Sequence, residues 1–148
     1  MTDLIRIANC SGYYGDKLSA AKEMVEGGPI DVLTGDYLAE LTMTILFNQR
    51  MQRGEDKGYV GTFLKQIKEI AHTCKSKNIK VVTNAGGLNP QSMANEIEKI
   101  LAELKIDLKV AYITGDDLMP RMDDLIQLNE PFNLSLIHIS EPTRQERI

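Results

Sequence analysis

The sequence predicts an α/β protein built on a parallel, Rossmann-like doubly wound sheet, and three observations carry that prediction. Short apolar runs recur along the chain, and each passes directly into a loop of small polar residues. Stretches with helical apolar spacing separate most of those runs. The block Lys80–Pro90 contains the whole grammar: two valines, a Thr-Asn-Ala-Gly-Gly loop, then Asn89-Pro90 as N-cap and first helical residue. Strand, loop and helix in that order form the half-unit of a parallel sheet, which binds ligands at its carboxyl edge.

Leu4–Ala8 is the first predicted strand, and Leu18, Ala21, Met24 and Val25 mark one face of the first helix, which Gly27-Gly28-Pro29 stops. Ile30–Leu33 is a short second strand ending in Thr34-Gly35-Asp36. The next helix turns Leu38, Leu41, Thr42, Ile45 and Leu46 inward. A polar, glycine-bearing loop covers Arg53 to Gly61. Leu64, Ile67, Ile70, Ala71 and Cys74 then form another stripe, so two helices follow one another without a strand between them. Lys80–Val82 is the third strand, and Met93, Ile97, Ile100, Leu101 and Leu104 line its helix. Lys109–Ile113 reads as a fourth strand, ending in Thr114-Gly115-Asp116-Asp117, with a last helix within Met119–Leu128. Right-handed crossovers would bring all four strand ends to one edge.

The chain has 148 residues, enough for one domain with a core of its own. A hydrophobic share of 43% and a net charge of −4 fit a soluble protein and give no electrostatic case for nucleic acid. No run is apolar and long enough to span a membrane, and Met1-Thr2-Asp3 opens no secretory signal. Cys10 and Cys74 match no metal or redox spacing, so a reducing cytoplasm is the expected location.

Residues Leu134–Arg144 continue no earlier pattern and coincide with the translation of a transposase-type sequencing adapter. Residues 134–148 are therefore set apart as a read-through tail. On this reading residues 1–133 are an incomplete α/β fragment, cut off near Asn133.

The strand ends hold the chemistry. Asp16, Asp36, Asp116 and Asp117 supply carboxylates; Asn9, Asn84 and Asn89 supply amides; Cys10, Ser11 and Gly12 line the first loop, and Gly86 and Gly87 the third. The glycines would let a ligand approach the main chain. The plainer reading of Asp16 and Asp36 is helix capping. An oxygen-rich cluster also suits Mg²⁺, although neither ligand number nor geometry is fixed by the sequence. Cys10 reads as a small pocket-lining residue before a nucleophile, because His72 sits on a helix face with nothing to pair it with the thiol. Lys65, Lys68, Lys75, Lys77 and Lys80 read as a solvated face. The dinucleotide G-x-G-x-x-G, a Walker loop, HExxH and a nucleophile elbow are all missing.

In their order and spacing, Asn9–Asp16, Leu33–Thr42, Val82–Pro90 and Thr114–Asp117 resemble the acyclic terpene utilisation (AtuA) family. The resemblance covers Ile5 to Phe132 and implies that residues 1–133 are the N-terminal α/β portion of a larger domain. It implies a place in bacterial breakdown of citronellol- and geraniol-type terpenoids, a route running through CoA thioesters, and supplies no catalytic residue. Two functions follow. In the first, an enzyme or enzyme component acts on a small carboxylate or acyl-CoA: Asn84, Gly86 and Gly87 hold an anionic oxygen, and Asp36 or Asp116 takes a hydroxyl, a metal or a proton. In the second, a non-catalytic subunit binds such a ligand or docks a partner enzyme, as a homo-oligomer or beside another chain.

Overall fold

Residues 4–127 are described by the structure, a computed structural model. The proposed tail lies outside the described residues. The chain divides into two compact units, Met1–Thr114 and a second from Gly115 onward.

The first unit has the predicted α/β class. Strands β1 (Ile7–Asn9), β2 (Val32–Gly35) and β3 (Lys80–Thr83) form an all-parallel sheet in the order β1-β2-β3. Helix α1 (Ala20–Gly27) joins the first two strands; α2 (Glu40–Arg53) and α3 (Gly61–Lys77) join the second pair; α4 (Pro90–Glu103) follows β3. Helix α3 packs against both α1 and α4. Right-handed crossovers that step the same way across a sheet bring their helices to one face in this manner.

The ladder register sorts the strand residues. Ala8, Leu33 and Val81 stand in one row, while Ile7, Val32 and Lys80, and then Asn9, Thr34 and Val82, stand in the alternate rows. Successive residues of a strand point to opposite faces, so these rows belong to opposite sides of the sheet. The first row faces the helices: Leu33 is fully buried, and Ala8 and Val81 pack against the core. On the other side Ile7 is 65% exposed and Val82 60%.

Helix α3 supplies the centre of the core with Phe63, Ile67, Ile70, Ala71 and Cys74. Ala21 and Val25 come from α1, and Met93, Ile97 and Leu101 from α4. Each large side chain fully buried there contributes about 1.5–3 kcal/mol. Asn78 ends α3 in the left-handed conformation (φ 54°), and its N–H reaches back to the carbonyls of Cys74 and Lys75.

Several expectations need correction. Strand β1 starts three residues later than predicted and β2 two residues later. Of the inward stripe predicted for the second helix, Thr42 and Leu46 are buried, Leu38 packs on the core from just before α2 and Ile45 is half-buried, whereas Leu41 is 72% exposed. Leu18 and Met24 are exposed as well. Lys109–Ile113 forms no strand. Only Val110 packs on the core, and Tyr112 and Ile113 face solvent, so β preference there acts without a paired neighbour. The second unit, described by itself, holds a 3₁₀ turn (Met119–Arg121) and α5 (Met122–Gln127). Among the described residues, no helix is long and apolar enough to cross a membrane.

Candidate functional site

The loops after β1, β2 and β3, three of the four predicted strand-end loops, meet. Cys10 N–H donates to the Thr34 carbonyl and Asp36 N–H to the Ser11 carbonyl, joining the first two loops. The Thr83 hydroxyl donates to the Gly35 carbonyl at 2.8 Å, joining the second and third. Thr114 ends the first unit, and Gly115, Asp116 and Asp117 fall in the second. There, Asp117 accepts the Met119 N–H at 3.0 Å just ahead of the 3₁₀ turn, while Asp116 is exposed.

Asn84 is the strut of the edge. Its Oδ1 accepts the Tyr37 N–H at 2.8 Å, and its Nδ2 donates to Asp36 Oδ1 at 2.6 Å. Asn84 and Asp36 nevertheless stay exposed, so each keeps hydrogen-bonding capacity toward solvent. Beside them, the Thr34 hydroxyl reaches the Asn9 Oδ1 at 3.3 Å, and Asn9 Nδ2 donates to the Ser11 carbonyl at 2.9 Å. Asn9 and Thr34 share the open face of the sheet with Ile7, Val32 and Val82. The polar edge therefore adjoins an exposed apolar floor.

Neither aspartate caps a helix. Asp16 closes its own loop, accepting the Gly12 N–H at 3.0 Å and the Lys17 N–H at 2.7 Å. Those two bonds, Gly12's first, hold its carboxyl below the usual aspartate range. Helix α1 begins instead at Ser19 and α2 at Ala39, without side-chain caps. Asn89 does cap α4, accepting the Ser92 N–H at 3.1 Å. Its Nδ2 also ties in the carbonyls of Glu55 and Lys57.

The glycines after β3 serve packing. A Cβ on Gly86 would sit 2.7 Å from Pro90 Cβ, and one on Gly87, where φ is +52°, would strike Leu46 and lie 2.8 Å from the Gly58 carbonyl. The N–H groups of Ala85, Gly87, Leu88 and Asn89 are all satisfied inside the protein. A side chain at either glycine would therefore collide with the protein itself.

Cys10 is 4% exposed, its thiol 3.9 Å from the Tyr37 hydroxyl. Burial pushes its pKa up, which disfavours the thiolate. Tyr37 in turn donates to Gln66 Oε1 at 2.5 Å, Gln66 Nε2 reaches the Leu18 carbonyl, and burial raises the phenol's pKa further above its usual value. Phe63 meets the Tyr37 ring edge-on at 5.8 Å. This buried polar chain under the edge was missed in the sequence, because Gln66 stands amid an apolar helical stripe. Ser11 is buried too, donating to the Tyr13 carbonyl. Burial likewise raises the Cys74 thiol to about 11, as befits a core residue. No group of three or more His, Cys, Asp or Glu side chains able to hold a metal occurs among the described residues.

The family model described as acyclic terpene utilisation family protein AtuA matches residues 5–146. No curated protein and no solved structure gives a match. The chain belongs to the acyclic terpene utilisation family, and membership implies a role in acyclic terpene utilisation.

Proposed function

We propose that this member of the family binds an acyclic terpenoid, as its carboxylate or acyl-CoA thioester, across the carboxyl end of the open sheet face. The observation that supports this reading is the junction of Asn9, Thr34, Asp36 and Asn84 with the apolar floor of Ile7, Val32 and Val82. An acyclic terpenoid has matching chemistry: a branched hydrocarbon chain with oxygen at one end. The chain would lie on the floor, where each methylene removed from water is worth about 0.8 kcal/mol. Its oxygens would meet the amides of Asn9 and Asn84, and Asp36 would accept a hydroxyl or take a proton. Gly86 and Gly87 have no part in this binding; they shape the loop that carries Asn84. A bacterial cytoplasm suits such a catabolic role.

Titration of the protein with citronellyl- and geranyl-type acyl-CoA thioesters tests the reading. Saturable binding is expected, weakened about tenfold or more by Asp36→Asn, as for loss of a hydrogen bond to a charged group. Thermal stability should change little in that variant. Unchanged affinity would remove Asp36 from the site.

The exposure of Ile7 and Val82 also favours a second reading, a non-catalytic subunit whose open face docks a partner enzyme. Ligand binding without turnover by the protein alone, together with turnover on adding a partner, would support it.

A further inference from the structure

A cleft of ≈ 340 Å³ lies between the β1–α1 loop, the last turns of α2 and the start of α3. Its lining includes Tyr14, Arg53, Lys57, Tyr59, Thr62 and Lys65, and no acidic residue. That is unusual for a chain in which 21 acids outnumber 17 bases. Lys57 shares its charge with Asp56. Among the described residues, Arg53 and Lys65 form no ion pair, whereas the neighbouring Arg50 is held by Glu55. The start of α3 adds to the field: its first turn contains no acid, no side chain caps it, and Gly61 and Thr62 line the cleft. The first amides of a helix have no partner within it and attract negative charge. Hydroxyls of Tyr14, Tyr59 and Thr62 provide neutral donors, with Tyr14 steadied by Gln49 at 3.4 Å.

We infer that this cleft binds a multiply charged oxyanion, a phosphate or diphosphate group. Arg53 offers a planar fork suited to two phosphate oxygens, and Lys57 and Lys65 act as point charges. A singly charged carboxylate would engage only part of such a set. The inference stands on the cleft itself and does not require the terpenoid reading of the sheet edge.

Calorimetric titration of the full chain with inorganic diphosphate, phosphate and acetate tests it. Saturable binding is expected, tightest for diphosphate and absent for acetate, with affinity falling as salt rises. Arg53→Ala and Lys65→Ala should each weaken diphosphate about tenfold, the effect of losing one charge-assisted contact. Circular dichroism confirms that the variants fold, as expected for two exposed side chains. Asp36→Asn should leave diphosphate affinity unchanged, which separates this cleft from the sheet-edge site. The inference is overturned by absence of saturable diphosphate binding, by equal affinity for acetate, or by diphosphate affinity that survives both alanine substitutions.

Discussion

Two glycine-bearing loops follow parallel strands at the same edge, and they do opposite things. The loop after β3 is turned inward: Gly86 and Gly87 fit against Pro90, Leu46 and Gly58, and the N–H groups of Ala85, Gly87, Leu88 and Asn89 bond within the protein. The loop after β1 is turned outward: Gly12, Tyr13 and Gly15 are exposed, and a Cβ on Gly12 would meet nothing closer than Asp16 Oδ2 at 4.0 Å. Similar sequence grammar thus yields a clamp in one case and an open rim in the other. What decides between them is the neighbour. Helix α2 lies over the β3 loop, with Leu46 fully buried there.

The sharpest way to break this comparison is to add the same methyl group to both loops. Gly87→Ala should cost about 2–4 kcal/mol, combining left-handed strain with overpacking against Leu46. Gly12→Ala should stay within about 0.5 kcal/mol, as at an ordinary surface position. Denaturant unfolding of both variants provides the check, and equal losses would dissolve the distinction.

Asn84 comes next in size. Asn84→Ala strands the Tyr37 N–H and should cost about 1 kcal/mol in the same measurement. Asn84→Asp keeps the acceptor for Tyr37 but sets a second carboxylate beside Asp36. It should therefore be the worse of the two at neutral pH and recover in acid, where one carboxylate protonates.

The smallest effect belongs to the β1 loop. Asp16's native pKa lies below its ordinary 3.8, so the stability it contributes is fully present above that value and is lost as pH falls through the native pKa. Asp16→Asn should flatten that part of the acid-unfolding curve and leave stability above about pH 5 nearly independent of pH. An acid limb identical to that of the parent would mean that the two amide bonds of Asp16 do not matter.

Much of the fold was legible. Helical spacing located Ile67, Ile70, Ala71 and Cys74, and later Met93, Ile97 and Leu101, because 3.6-residue periodicity reports burial directly. Lys80–Val82 reads as a buried strand with both valines inside, whereas only Val81 packs on the core and Val82 is exposed. A strand with apolar residues on both faces gives no alternation to read, so the exposure of Val82 emerged only from the register. The convergence of the first three loops followed from their position after parallel strands. The separate uses of their residues did not, because Asn84 takes its partners from Tyr37 and Asp36, and Gly87 from Leu46, all far away in the chain. The cationic cleft was hidden for a similar reason. Lys65 looked like one of five solvated lysines until Arg53 and Lys57 were brought beside it.

The central claim is that ligand is received at the open face and outer rim, while the β3 loop only supports them. Amide chemical-shift mapping during titration with a geranyl-type acyl-CoA thioester tests it most directly. The account predicts that the moving resonances are those of Ile7, Asn9, Gly12, Thr34, Asp36, Val82 and Asn84, with Gly87, Leu88 and Asn89 nearly still. Shifts centred on Gly86–Asn89, or on the opposite edge around Arg6 and Asp31, would contradict it.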